Sequence, residues 1–480
     1  MKVESNCFLV LVALGVFASA PFSAASSELG TLGGNLCVAI DVNDTGAAVG
    51  QCRTTDGDFA PTYWAVTGVT AMALPGLEVD GPCSTVGISG NGVIAGNCEL
   101  GDNGEPFPVR WLTPSLPSTA PQLLNASTGH DRAEAQFINA FGTVAGTSTD
   151  PDGTDHPVLW KSGQTAATSL PVPGLLPPLL SSVAECHVAA LADTPSPAVT
   201  GYCELRHGGA IAVKWTPNSA GGYSVASLPR ISGGSNCTAA GINRDGYVGG
   251  TCEDADGDLA AVRWPPSGGS PAVLYGLPRE SANGQQLIAT AINSAGAIVG
   301  RFVTSDGKYR SFVWAPTGDP ATEDGLDLGD LGGTVVVAQR IANNGGVIGI
   351  AENGRGAQAG FYWSATGSMQ DLGTLGGATN HPVAISPNGE WIVGTSPIST
   401  GQRHAYRLGI SRSGLTQSLM HEPRKNAQVA AGVSGCAGGH RFVSYKRGSP
   451  DGFCWKGSGY EGTPSFYALA IAIAGLVILL

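Results

Sequence analysis

Tryptophan recurs along this chain at a nearly constant interval. Trp64, Trp111, Trp160, Trp215, Trp264, Trp314 and Trp363 are separated by 47, 49, 55, 49, 50 and 49 residues, and Tyr406 stands in the eighth place. An interval near 49 is long enough for one supersecondary unit. A unit of that size cannot bury its apolar face alone, so its neighbours must cover it. The repeat therefore limits the chain to a stacked or closed array.

The order of events within each unit selects among arrays. A Leu-rich stretch comes first, as in Leu29-Gly30-Thr31-Leu32-Gly33-Gly34, Leu328-Gly329-Asp330-Leu331-Gly332-Gly333 and Leu372-Gly373-Thr374-Leu375-Gly376-Gly377. A short apolar segment then runs into a turn, such as Ile242-Asn243-Arg244-Asp245-Gly246 or Ile292-Asn293-Ser294-Ala295-Gly296. A second segment follows (Ala297-Ile298-Val299-Gly300), then an acidic loop, then the tryptophan segment. A small polar residue opening the turn can bond the backbone, and the glycine accepts positive φ. Short apolar segments at this spacing read as antiparallel hairpins. With 71 glycines and 31 prolines, 42% hydrophobic and 13% charged residues, the chain is too apolar for disorder and too glycine-rich for a helical protein. The expected fold is all-β: a β-propeller of about eight four-stranded blades over residues 26–408, which hides nearly every strand edge. The Leu29 segment should join the last unit. Residues 409–460 break the period and read as a disulfide-closed cap or stalk.

These motifs resemble the HAF-repeat family of extracellular repeat proteins, whose pattern runs roughly L-G-x-L-G-G, A-x-x-I-N-x-x-G-x-V-V-G and an aromatic-tryptophan strand. The resemblance covers about residues 28–408 and is weakest at Asp193-Thr194-Pro195-Ser196-Pro197. It implies a secreted repeat protein and assigns no catalytic residue.

Both ends carry processing or anchoring features. Residues 1–25 read as a signal peptide, which would remove Cys7. Residues 465–480 are uncharged and apolar to the last position, a little short for a full span, and suggest membrane attachment or a sorting signal.

Ten cysteines remain and fall into neighbouring pairs: Cys37/Cys52, Cys83/Cys98, Cys186/Cys203, Cys237/Cys252 and Cys436/Cys454. The first, second and fourth pairs are each centred on the same turn, which would place them cross-strand at disulfide distance. A bulged glycine in the turn would shift the register by one and separate them, so the loop must be symmetric or a second bulge must compensate. Pairing between units, such as Cys52 with Cys83, is the alternative. A zinc site lacks the C-x₂₋₄-C spacing it needs. Leu287/Phe302 and Val336/Ala351 occupy the equivalent positions elsewhere.

Chemistry-bearing motifs are sparse. The acidic loops Asp56-Gly57-Asp58, Asp102-Asn103-Gly104-Glu105, Asp150-Pro151-Asp152-Gly153-Thr154-Asp155 and Glu253-Asp254-Ala255-Asp256-Gly257-Asp258 offer oxygen ligands suited to Ca²⁺, although Asp-Gly is also the favoured hairpin turn. His130, His156, His187, His207, His381, His404, His421 and His440 are scattered. Twenty-five basic against 37 acidic residues, with no basic run, exclude a nucleic-acid partner. The expectation is a secreted or cell-surface structural or binding propeller with an extracellular protein or polysaccharide ligand and no required cofactor. A polysaccharide hydrolase or lyase and a calcium-stabilised adhesion module are the alternatives.

Overall fold

The computed structural model describes residues 28–77, 82–100, 105–112, 119–174, 183–206, 208–274, 286–315, 325–365, 368–411, 414–415, 441–444 and 452–455. Among these there are strands and turns and no helix. The signal segment, Cys436, His207, His421, His440 and the apolar tail lie outside the described residues. Among the described residues no helix is long and apolar enough to cross a membrane; the tail on which membrane attachment was expected lies outside them.

The strands form successive antiparallel meanders in chain order. The first sheet runs from strand Gly33–Val42 to Ala71–Ala73, and the second from Cys83–Ile88 to Gln122–Leu123. The third runs from Arg132–Ile138 to Thr168–Ser169, and the fourth from Val183–Leu191 to Tyr223–Ser227. The fifth runs from Cys237–Ile242 to Ala272–Val273, the sixth from Ile288–Ile292 to Leu326–Asp327, and the seventh from Gly332–Ile341 to Gln370–Asp371. The eighth comprises His381–Ile385, Trp391–Pro397 and Arg403–Ser411. The first strand of each sheet lies against the first strand of the next, and that of the eighth returns to the first sheet. The arrangement is β-propeller-like. A separate hairpin pairs Arg441–Ser444 with Gly452–Trp455.

Each core is shared between two successive sheets. Val49 and Tyr63 of the first sheet pack on Cys83, Cys98 and Trp111 of the second. Ala384, Val393 and Ala405 of the eighth pack on Cys37, Cys52 and Trp64 of the first. The tryptophans are buried for their area, and their indole N–H needs a partner there. Trp64 donates to the Gly30 carbonyl at 2.9 Å, Trp111 to Pro75 at 2.9 Å, Trp160 to Asn125 at 2.8 Å, Trp215 to Pro171 at 2.8 Å and Trp264 to Pro229 at 2.7 Å. Each indole thus ties down the segment that precedes its own sheet, which explains the fixed distance between Leu-rich stretch and tryptophan. In the eighth sheet the register corrects the expected equivalence. Ile392 pairs with Leu408 and Gly394 with Tyr406, whereas Ala48 pairs with Trp64 and Gly50 with Thr62. Leu408 holds the tryptophan position, and the fully buried Tyr406, two residues earlier, fills the space beside Gly394.

Four disulfides join Cys37–Cys52, Cys83–Cys98, Cys186–Cys203 and Cys237–Cys252, with Cα atoms 4.0–4.1 Å apart. Each pair is in direct register across its hairpin. The fifth expected bond, Cys436–Cys454, is not among them. Cys454 stands in strand Gly452–Trp455, in register with Phe442, while its expected partner Cys436 lies outside the described residues. The within-hairpin pairing is therefore established for the four sheet disulfides and not for Cys454.

The turns of these hairpins are not symmetric. Asn43 N–H bonds the Ala47 carbonyl at 3.0 Å and Gly46 has φ +86°, a three-residue loop with a bulged glycine. A second bulge between Ala39 and Asp41 restores the register before the cysteines are reached. The same shift occurs in the first hairpin of every one of these sheets. It pushes the carbonyl of the residue before it, Val38 in the first sheet, toward the facing strand. A side chain on Gly50 would overlap that oxygen and the Trp64 ring, and Gly96, Gly146, Gly201, Gly250, Gly300, Gly349 and Gly394 face the equivalent carbonyl. The glycine ending each Val-Gly segment is a steric requirement of the bulge.

The turns also bond one another. Asn43 Oδ1 accepts the N–H groups of Thr45 and Ala47 within its own turn, while its Nδ2 donates to the Ser89 carbonyl of the next. Gly90 N–H bonds Ala140 and Asn139 Nδ2 bonds Ala192, while from strand Ala210–Pro217 Lys214 Nζ reaches the Gly246 carbonyl of the next turn. Asn243 reaches Ser294, Asn293 reaches Ala342, Asn343 N–H bonds Pro387, and Asn388 returns to Asp44. The asparagine of the repeat serves both its own turn and its neighbour's. At the chain start, Leu29 N–H bonds the Ala405 carbonyl at 2.8 Å and Glu28 bridges Tyr406, so this segment completes the eighth sheet.

Candidate functional site

Polar side chains gather at the third and fourth sheets. On the third, Arg132 and Glu134 share one face of the inner strand. The register places Thr149 opposite Arg132 and Thr147 opposite Glu134, and Asp155 opposite Thr149. Alternation puts these five residues on one face. They line a cavity of about 250 Å³ with Pro106, Ala133 and Gly153. Thr149 Oγ1 donates to Asp155 Oδ1 at 2.6 Å, fixing that carboxylate. Burial pushes the Glu134 carboxyl above its usual range, and the neighbouring Asp155 charge adds to the effect.

The fourth sheet continues this acidic surface. Asp155 N–H donates to Glu185 Oε1 at 3.2 Å. His187 lies 3.8 Å from Glu185 and 3.9 Å from Glu204, and stacks on Tyr202 with ring centroids 4.9 Å apart. Burial raises the Tyr202 hydroxyl well above its ordinary value, with Glu204 and Glu185 adding to the rise. Glu134 and Asp155 thus line the cavity, Glu185 adjoins it through the Asp155 backbone, and Glu204 continues the acidic surface beside His187. The carboxyl groups of this recess can engage a cationic group by charge, with the Glu134 carboxyl held above its usual range.

The acidic loops prove to be turns. Asp150 Oδ1 accepts from Asp152 and Thr154 N–H at 3.0 and 2.9 Å, and Asp254 Oδ1 from Asp256 and Asp258 N–H at 2.9 Å each. The Asp56-Gly57-Asp58 loop closes through Thr54 N–H on the Asp58 carbonyl. Part of the Asp102 loop lies outside the described residues. No group of three or more possible ligands gathers around a metal position among the described residues.

Histidines that are far apart in the chain meet here. His156 Nε2 bonds Asp150 Oδ2 at 2.9 Å, and its ring stands edge-on to His130 at 4.9 Å. That bond holds the Asp150 carboxyl below its usual range. His404 bonds Glu28 at the chain start. Sequence reasoning missed the recess. The local clue was Glu185 and His187 two residues apart on one strand face. The partnership with Asp155 crosses between sheets and leaves no local trace.

A second buried acid serves the fold. Asp41 Oδ1 accepts Val42 N–H and Oδ2 accepts Ile88 N–H, both at 2.9 Å, across the seam between the first and second sheets. Burial outweighs these bonds and raises its pKa to about 6.

No family model matches the chain, and no curated protein matches it. Solved structures similar to it include a puromycin hydrolase, at 13% identity and TM-score 0.44 over 77% of this chain and 58% of that one. A post-proline cleaving enzyme from Rickettsia typhi matches at 10% identity and TM-score 0.44, over 76% and 56%. The β-propeller domain of the Trilobed protease from Pyrococcus furiosus matches at 10% identity and TM-score 0.41, over 69% and 95%. The chain thus spans little more than half of the first two. These structures are named as a hydrolase and peptidases. The expectation of a structural or binding propeller, with its polysaccharide-acting and calcium-stabilised alternatives, is corrected by that finding.

Proposed function

We propose that this chain is a peptidase-type propeller that engages peptide substrates at the recess between the third and fourth sheets. Glu134, Asp155, Glu185 and Glu204 would receive a peptide's free amine or basic side chain, and the stacked His187 and Tyr202 would flank it. The observation that carries this reading is a cavity of about 250 Å³ lined by Glu134 and Asp155, with Glu185 bonded to the Asp155 backbone beside it and Glu204 next to His187 beyond, in an acidic chain. In the same reading, residues 28–408 close as one propeller of eight blades and the chain is a HAF-type repeat protein. The four disulfides point to an oxidising, extracellular environment, which agrees with secretion.

Calorimetric titration with short Arg- or Lys-bearing peptides tests the proposal. Binding should be present at neutral pH and weaken as pH falls through the raised range of Glu134, because protonation removes a negative charge. Glu134→Gln should weaken neutral-pH binding roughly tenfold, about 1.4 kcal/mol, and flatten the pH dependence. Equal affinity for peptides with every amine blocked, or no binding at all, would overturn it.

A further inference from the structure

We propose that strand Tyr223–Ser227 is a self-association edge through which two copies of this chain pair antiparallel about Val225. The strand is the outermost of the fourth sheet. The outermost strands of the sheets that have four are two or three residues long everywhere else among the described residues, whereas this one has five. The cause is local. A tight turn over residues 218–222 joins it to Ala210–Pro217, with Asn218 Oδ1 accepting the Ala220 and Gly222 N–H groups at 3.1 Å each. In the other four-stranded sheets six to eleven residues separate the last two strands.

Long edges invite pairing, and proteins usually guard them with charge, proline or brevity. Tyr223-Ser224-Val225-Ala226-Ser227 has none of these guards. The strand is also held straight. Tyr223 is buried and its hydroxyl donates to the Pro197 carbonyl at 2.9 Å, while Val225 packs on the core between the third and fourth sheets.

The hydrogen-bond parity defines the partner. Asn218 N–H bonds the Gly222 carbonyl and Leu228 N–H bonds the Ala212 carbonyl. Even-numbered residues between them therefore face inward, and Tyr223, Val225 and Ser227 present their N–H and C=O groups outward. Among the described residues nothing pairs with them. An antiparallel copy centred on Val225 sets Tyr223 against Ser227 and Val225 against itself, satisfying about six hydrogen bonds. The register is its own complement, as a two-fold interface requires. The strand itself is uncharged in a chain of net charge −12, with Lys161 Nζ on the Gly221 carbonyl of the adjoining turn, so two copies can pair there without charge repulsion between the strands.

Light scattering and sedimentation across the micromolar range test this. The wild-type protein should show twice the chain mass at the upper end. Val225→Pro removes an outward N–H that the fold does not use, and Ala226→Lys adds charge to the edge. Both variants should run at the single-chain mass with the wild-type circular dichroism spectrum. A wild-type monomer throughout, or a dimer unmoved by either folded variant, would overturn the proposal. A misfolded Val225→Pro leaves Ala226→Lys to decide.

Discussion

Single glycines carry much of this fold. Gly250 faces the Thr238 carbonyl and the Trp264 ring so closely that a methyl group would overlap both. Gly250→Ala should cost about 1–3 kcal/mol through backbone displacement and overpacking. Gly269→Ala meets only ordinary contacts and should stay within about 0.5 kcal/mol of wild type. Urea denaturation of the two variants separates them. Equal stabilities would remove the steric account of the Val-Gly segment.

At the level of the hairpin, a disulfide and a bulge solve one problem together. The bulged turn alone would leave the cysteines facing opposite ways, and the second bulge brings Cys237 opposite Cys252. Replacing both with alanine should cost about 3 kcal/mol, the value expected for closing a loop of this length. Denaturation midpoints with unchanged slope would show it, and a loss under about 1 kcal/mol would mean packing does the work instead. The sixth sheet, with Leu287 and Phe302 at these positions, folds without the bond. Strands, turns and cysteine neighbours were legible because each is set within one period of the sequence. The compensating bulge was readable only as one of two alternatives, since nothing in Val38-Ala39-Ile40-Asp41 marks it. The recess was illegible because Glu134, Asp155 and Glu185 sit on three strands of two sheets. The Leu408 register escaped notice because Tyr406 occupies the same space from a different position.

For the whole molecule, the junction between its first and last sheets is the decisive one. Leu29 is 1% exposed in the core that the first and eighth sheets share. Leu29→Ala should cost about 2–5 kcal/mol. Hydrogen exchange should show the first and eighth sheets losing protection together while the fourth and fifth keep theirs. Uniform loss across all sheets would mean that closure is not a separate unit of stability.

That junction also imposes a schedule. Glu28 and its partner His404 are 376 residues apart. At roughly 5–20 residues per second of synthesis, the earliest strand waits on the order of 20–75 s for the one that covers it. Through that interval the face bearing Ala39 and Trp64 has no permanent cover, so the growing chain depends on whatever shields it until the last sheet emerges.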